Sequence, residues 1–160
     1  MKKLIVCSLI LGLVLGIASV GSAEVKQGDK NLVISVGYGY FSEGPKEWDG
    51  TYGLGMGFFL TDAVELNIGL SGQWNTFGDE VNLLVKPNFY MDTQSKVNPY
   101  MGLAVGANFG GGTEFAGGAQ IGMKQFLSEN TLIQYELGFL RLFKSKLNSL
   151  TLSIGLGFKF

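Results

Sequence analysis

The last eleven residues, Leu150–Phe160, read LTLSIGLGFKF. Leu150, Leu152, Ile154, Leu156, Phe158 and Phe160 are apolar, and Thr151, Ser153, Gly155, Gly157 and Lys159 fill the positions between them. Side chains alternate across a strand with period two, so this segment predicts a strand with one apolar face and one small or polar face. The same alternation recurs in seven earlier segments. Asn31–Phe41 presents Leu32, Ile34, Val36, Tyr38 and Tyr40 on one face, and Thr51–Leu60 presents Tyr52, Leu54, Met56, Phe58 and Leu60. Ala63–Trp74 sets Val64, Leu66, Ile68, Leu70 and Trp74 against Glu65, Asn67, Ser71 and Gln73. Val81–Met91 sets Val81, Leu83, Val85 and Phe89 against Asn82, Lys86, Asn88 and Tyr90. Asn98–Phe109, Phe115–Phe126 and Thr131–Leu142 repeat the pattern, with Leu103, Ile121 and Leu137 on their apolar faces.

Each segment is about ten residues long, the length a tilted strand needs to cross the apolar band of a bilayer. An even number of strands brings both termini to one side, and pairing the last strand with the first removes every sheet edge, as hydrocarbon demands. The predicted fold is all-β, an eight-stranded antiparallel up-and-down transmembrane barrel. A soluble secreted β-sandwich is disfavoured, because such apolar outer faces would aggregate in water. Leu60–Ala63 and Leu127–Asn130 read as tight periplasmic turns; Ser42–Gly50, Asn75–Glu80, Gly110–Glu114 and Lys144–Ser149 read as outer loops. Aromatics cluster at the strand ends as two girdles, Tyr40, Tyr52, Trp74, Phe109 and Phe115 outside and Phe58, Phe89, Phe158 and Phe160 inside. Pro87 falls within strand four, where a missing N–H predicts a bulge or an early end to the strand.

The front of the chain changes the picture by naming a compartment. Lys2 and Lys3, the apolar run Leu4–Val20 and the small residues Gly21-Ser22-Ala23 predict a signal peptide over residues 1–23, cut after Ala23. The barrel domain is then 24–160. Cys7 lies near the start of the apolar run rather than after it, so it does not read as a lipidated cysteine. The processed chain then carries no cysteine, and neither a disulfide nor a thiol-bound metal is expected. Removing Lys2 and Lys3 from the 12 basic residues leaves 10 against 13 acidic ones, a net charge of −3. No basic tract remains to follow a phosphate backbone, so nucleic acid is not an expected partner. Outer-membrane lipid is, and a monomer is expected.

Candidate chemistry is sparse. The glycine-rich stretches Gly53–Gly57 and Gly110–Gly112 open no helix and precede no Lys-Ser/Thr pair, which excludes a phosphate-binding loop. Lumen-facing glycines instead leave room for larger side chains from opposite strands. The chain has no histidine. Serine with carboxylates alone is a poor nucleophilic set near neutral pH, so no catalytic residue, cofactor or metal is assigned and the protein is not expected to be an enzyme. Four charges share inward parity: Glu65, Lys86, Lys124 and Glu136. A lone charge in a narrow lumen is costly, so these predict a paired cluster, with Glu136 and Lys124 one candidate couple. Arg141, Lys144 and Lys146 gather at the outer rim, where cations are attracted to the phosphates of lipopolysaccharide.

Three stretches carry a resemblance. Pro99-Tyr100-Met101-Gly102-Leu103-Ala104-Val105-Gly106, Phe126-Leu127-Ser128-Glu129-Asn130 and the terminal Gly157-Phe158-Lys159-Phe160 are similar to segments of the small OmpA- and OmpX-like outer-membrane barrels. Phe59-Leu60-Thr61-Asp62 repeats the second motif in an earlier hairpin. The resemblance implies insertion by the outer-membrane assembly machinery, which reads the terminal aromatics Phe158 and Phe160. The expected role is structural or interactional in the envelope. A narrow channel for small or apolar solutes is the competing reading.

Overall fold

The computed structural model describes residues 25–41, 48–74, 80–110 and 112–160; the predicted signal peptide and part of the outer loops lie outside them. Eight strands follow in order: β1 (Lys30–Phe41), β2 (Trp48–Thr61), β3 (Val64–Trp74), β4 (Val81–Tyr90), β5 (Val97–Phe109), β6 (Thr113–Phe126), β7 (Thr131–Leu142) and β8 (Asn148–Lys159). All neighbours pair antiparallel, and β1 pairs β8, so the sheet closes into a barrel. The register joining the ends runs from Asn31↔Lys159 to Phe41↔Ser149 without a break.

The alternation read from the sequence fixes the two faces. Ile34, Leu54, Leu103, Ile121, Leu152 and Leu156 point out and are 46–59% exposed. Such a belt is unfavourable in water and suited to lipid. Ile133 keeps outward register, between Gln125 and Leu156, yet is only 9% exposed. Asn31, Glu65, Asn67, Asn82, Asn88 and Lys124 point in and are buried. Tyr52 lies over the outward Gly72, where an added Cβ would meet its ring.

Two expectations require correction. Several segments expected as outer loops belong to strands: Trp48–Gly50 pairs with β1, Thr113 and Glu114 pair with β5, and Asn148 and Ser149 pair with β7. Extra pairs beyond the membrane-crossing length satisfy backbone groups that open loops would leave to water. Pro87 produces neither a bulge nor a strand end. It pairs with Leu66 of β3, and pairing with β5 resumes at Asn88↔Gly102 in the register of Val85↔Val105. The missing N–H falls where the β4–β5 ladder lapses, so one lost bond disturbs nothing further. The bulge lies instead at the end of β2, where the register shifts between Phe59 and Thr61.

Beneath the barrel, Val25–Asp29 forms a strap across the periplasmic mouth. Val25 is 2% exposed and packs in a cluster with Val33, Phe59, Tyr90, Tyr100, Phe126 and Leu132. Gly28 N donates to Phe59 O, Phe59 N donates to Asp29 O, both at 2.9 Å, and Gln27 N donates to Asp62 Oδ1 at 2.7 Å. Gly28 has φ of 92°, a conformation glycine adopts without steric cost. Lys159 Nζ, 3.1 Å from Asp29 Oδ2, ties the strap to the closing strand.

Candidate functional site in the lumen

Inward parity on β3, β4, β6 and β7 directs Glu65, Lys86, Lys124 and Glu136 into the lumen, where they form two ion pairs at different depths. Lys124 Nζ lies 2.6 Å from Glu65 Oε1, and both side chains are fully buried. A dry carboxylate needs more than its counter-ion, since every remaining lone pair has lost water. Glu65 accordingly accepts from Asn31 Nδ2 at 2.6 Å, Asn88 Nδ2 at 3.0 Å and the Tyr90 hydroxyl at 2.8 Å. Lys124 also donates to Asn31 Oδ1 at 3.3 Å and sits 5.5 and 5.7 Å from the ring centres of Phe59 and Tyr90. Gly57 supplies the space: a Cβ there would collide with Glu65 Oε1.

The second pair sits next to open volume. Lys86 Nζ lies 2.8 Å from Glu136 Oε1, with side-chain exposures of 17% and 12%. Glu136 Oε2 accepts from the Tyr100 hydroxyl at 2.8 Å and Gln134 Nε2 at 3.1 Å. Glu136 thus takes Lys86, not Lys124, as its base. The rings of Tyr90 and Tyr100, with centroids 5.3 Å apart, join the two pairs through hydroxyls bound to opposite carboxylates. Gln120 Nε2 adds a bond of 2.6 Å to Asn88 Oδ1.

The Lys86–Glu136 pair borders a cavity of about 130 Å³ that touches all eight strands, from Ser35 on β1 to Ser153 on β8. A small apolar cluster of Leu84, Ala116 and Leu142, with Leu140 and Leu147 against it, fills the upper β4–β7 side. The lower lumen is therefore closed by charge and aromatic packing, and the upper lumen is partly empty.

The other sequence-predicted residues lie elsewhere. Arg141, Lys144 and Lys146 are exposed at the outer end of β7 and the turn that follows. Glu114 lies under that turn, its Oε2 accepting from the backbone N–H groups of Lys144 and Ser145 at 3.1 and 2.9 Å. Phe158 and Phe160 face out at 49% and 64% exposure. Phe160 and Lys30 exchange backbone bonds of 2.9 and 3.0 Å.

Sequence reasoning placed Asn88 and Tyr90 on the inward face but did not join them to Glu65. It missed Asn31, Tyr100 and Val25 as parts of the lower seal. Parity alone marks Asn31 and Tyr100 as inward. Val25 has no alternating neighbours to mark it.

No family model and no curated protein matches the chain. Solved structures match its fold. The Neisserial surface protein A (NspA) aligns with a TM-score of 0.73 at 17% identity, over 84% of this chain and 100% of that one. Ail, the attachment invasion locus protein of Yersinia pestis, aligns at 0.64 and 14% identity over 84% and 99%. The outer membrane protein OprG from Pseudomonas aeruginosa aligns at 0.60 and 15% identity over 86% and 98%. The chain has the fold of the small eight-stranded outer-membrane barrels.

Proposed function

We propose that this protein is a monomeric, non-catalytic barrel of the bacterial outer membrane that stabilises the envelope or presents its outer rim to a partner. The sealed lower lumen carries the reading. A fully buried Glu65–Lys124 pair, with three further donors on the carboxylate, lies above an aromatic and aliphatic floor closed by Val25. Such packing fills the lower lumen with paired charge and rings, which favours a structural role over the narrow channel. The non-catalytic part rests on chemistry: without histidine no side chain has an ordinary pKa near neutrality to serve as general base. Arg141, Lys144 and Lys146 form the rim's candidate contact for lipopolysaccharide phosphates. Ail, a barrel of the same fold, has been solved in complex with the heparin analogue sucrose octasulfate, a polyanion, which supports an anion-binding rim. Assembly would use Phe158 and Phe160 as the terminal aromatics.

Single-channel recording of the purified protein in planar bilayers tests the closed lumen. No steady current is expected. A reproducible open state or solute-dependent flux would overturn the reading in favour of the channel.

A further inference from the structure

The upper lumen is emptier than an eight-stranded barrel requires. Barrels of this size have interiors that side chains just fill, or that hold one small ligand. The cavity of about 130 Å³ exceeds several-fold the roughly 10–15 Å³ that one bound water needs. Gly53, Gly55, Gly69 and Gly138 all line it; a Cβ built on Gly53 or Gly55 would meet Ser35 or Asn67, whereas one built on Gly138 would meet nothing within 4 Å. Gly138 has no positive φ, so its backbone does not call for glycine.

The remaining lining is hydrogen-bonding and uncharged in sum. Asn67, Ser71, Gln120, Thr151 and Ser153 contribute amides and hydroxyls, and the charges among the lining residues are Lys86 and Glu136, which neutralise one another. Gln134 Oε1 is buried there with no hydrogen-bond donor among the described residues, while its Nε2 is committed to Glu136. An unsatisfied buried acceptor is costly, and a bound hydroxyl would satisfy it. Amides and hydroxyls that both donate and accept match a polyol, whose hydroxyls do the same. An ion would find no net counter-charge.

We propose that the upper lumen is a blind binding pocket for a small neutral polyhydroxylated solute. Entry is from the extracellular side, because the cavity reaches Thr51, Gln73 and Ser149 near the outer ends of β2, β3 and β8, whereas the Glu65–Lys124 pair and the buried cluster around Val25 close the lumen below it. The pocket needs no conduction, so a failed bilayer recording and a failed binding test are distinguishable outcomes.

The test follows the side-chain amide signals of Gln134 and Asn67 by NMR in a micelle-embedded barrel titrated with glycerol and D-glucose, with sodium acetate as the charged control. Saturable shifts are expected with at least one polyol and not with acetate. Gly138→Leu, which fills the open space, should abolish them while heat-modifiable mobility on gels is retained. Absence of saturable shifts in the parent protein, equal shifts with acetate, or shifts undiminished in Gly138→Leu would each overturn the proposal. A second measurement does not depend on that variant folding. Ser153→Cys, which gives the processed barrel its one thiol, should react with iodoacetamide and be protected by the polyol that shifts Gln134. Alkylation that the polyol does not slow would also overturn it.

Discussion

Removing Glu65 should cost more than removing Lys124, although the two form one ion pair. Breaking a dry pair by deleting one partner costs about 3–5 kcal/mol, because a charge is left buried and uncompensated. Glu65→Ala strands an ammonium whose remaining contacts are Asn31 Oδ1 at 3.3 Å and the faces of Phe59 and Tyr90. It also removes the acceptor from Asn31, Asn88 and Tyr90, at roughly 1–3 kcal/mol for each donor that finds no substitute. The loss belongs at the upper end, about 5 kcal/mol. Lys124→Ala leaves the carboxylate with three donors and belongs at the lower end, about 3 kcal/mol. The apolar double variant Glu65→Leu with Lys124→Met should recover most of either loss, since a buried pair replaced by well-packed apolar groups is often neutral. Lys86 and Glu136 border the cavity, so Lys86→Ala should cost nearer the ~1 kcal/mol of a solvated pair. The assay is urea unfolding from lipid vesicles, read by heat-modifiable gel mobility, with unfolding and refolding curves required to coincide. Single losses below about 1 kcal/mol at Glu65, or strictly additive losses in the double variant, would refute the dry pair.

Gly57→Ala should destabilise the barrel strongly, because its Cβ meets Glu65 Oε1, whereas Gly138→Ala should be neutral or stabilising; equal melting temperatures for the two would contradict this. Deleting Phe160 removes an outward aromatic and a two-bond pairing with Lys30, while Phe160→Ala removes only the ring. Yield of folded protein in the outer-membrane fraction should fall for both if the ring is the assembly signal; loss confined to the deletion would assign the effect to the backbone. Changing Arg141, Lys144 and Lys146 together to glutamine should reduce co-purifying lipopolysaccharide without altering heat modifiability, and unchanged retention would remove the rim as its contact.

Much of the fold was legible because lipid and lumen impose opposite polarity on alternate residues. Leu54 and Glu65 are sorted by parity alone, and a register slip would reverse every face at once. Parity assigns a face but not a depth or a partner. Glu136 shares its face with both Lys86 and Lys124, and the choice is made by where β4, β6 and β7 stand around the ring, a long-range property absent from any local window. Pro87 misled for a related reason. A residue rule weighs one lost N–H against a whole ladder, but β3 on the other side holds the register through Leu66. Val25 was invisible because a buried residue outside the strands carries no period at all.

The strap beneath the barrel has a consequence for timing. Val25 packs with Tyr90 of β4, Phe126 of β6 and Leu132 of β7, and its N–H donates to Thr93 O at 3.4 Å. These groups face one another only after the sheet has curled far enough to bring distant strands around a common axis. The seat for Val25 does not exist on an open sheet, so docking must follow closure. The strap is then a latch that clicks after the wall is built, and the amide of Val25, bonded to Thr93 O beyond β4, is its clock hand. In pulse-labelled hydrogen exchange during refolding, Val25 should become protected no earlier than the β1–β8 amides that close the ring.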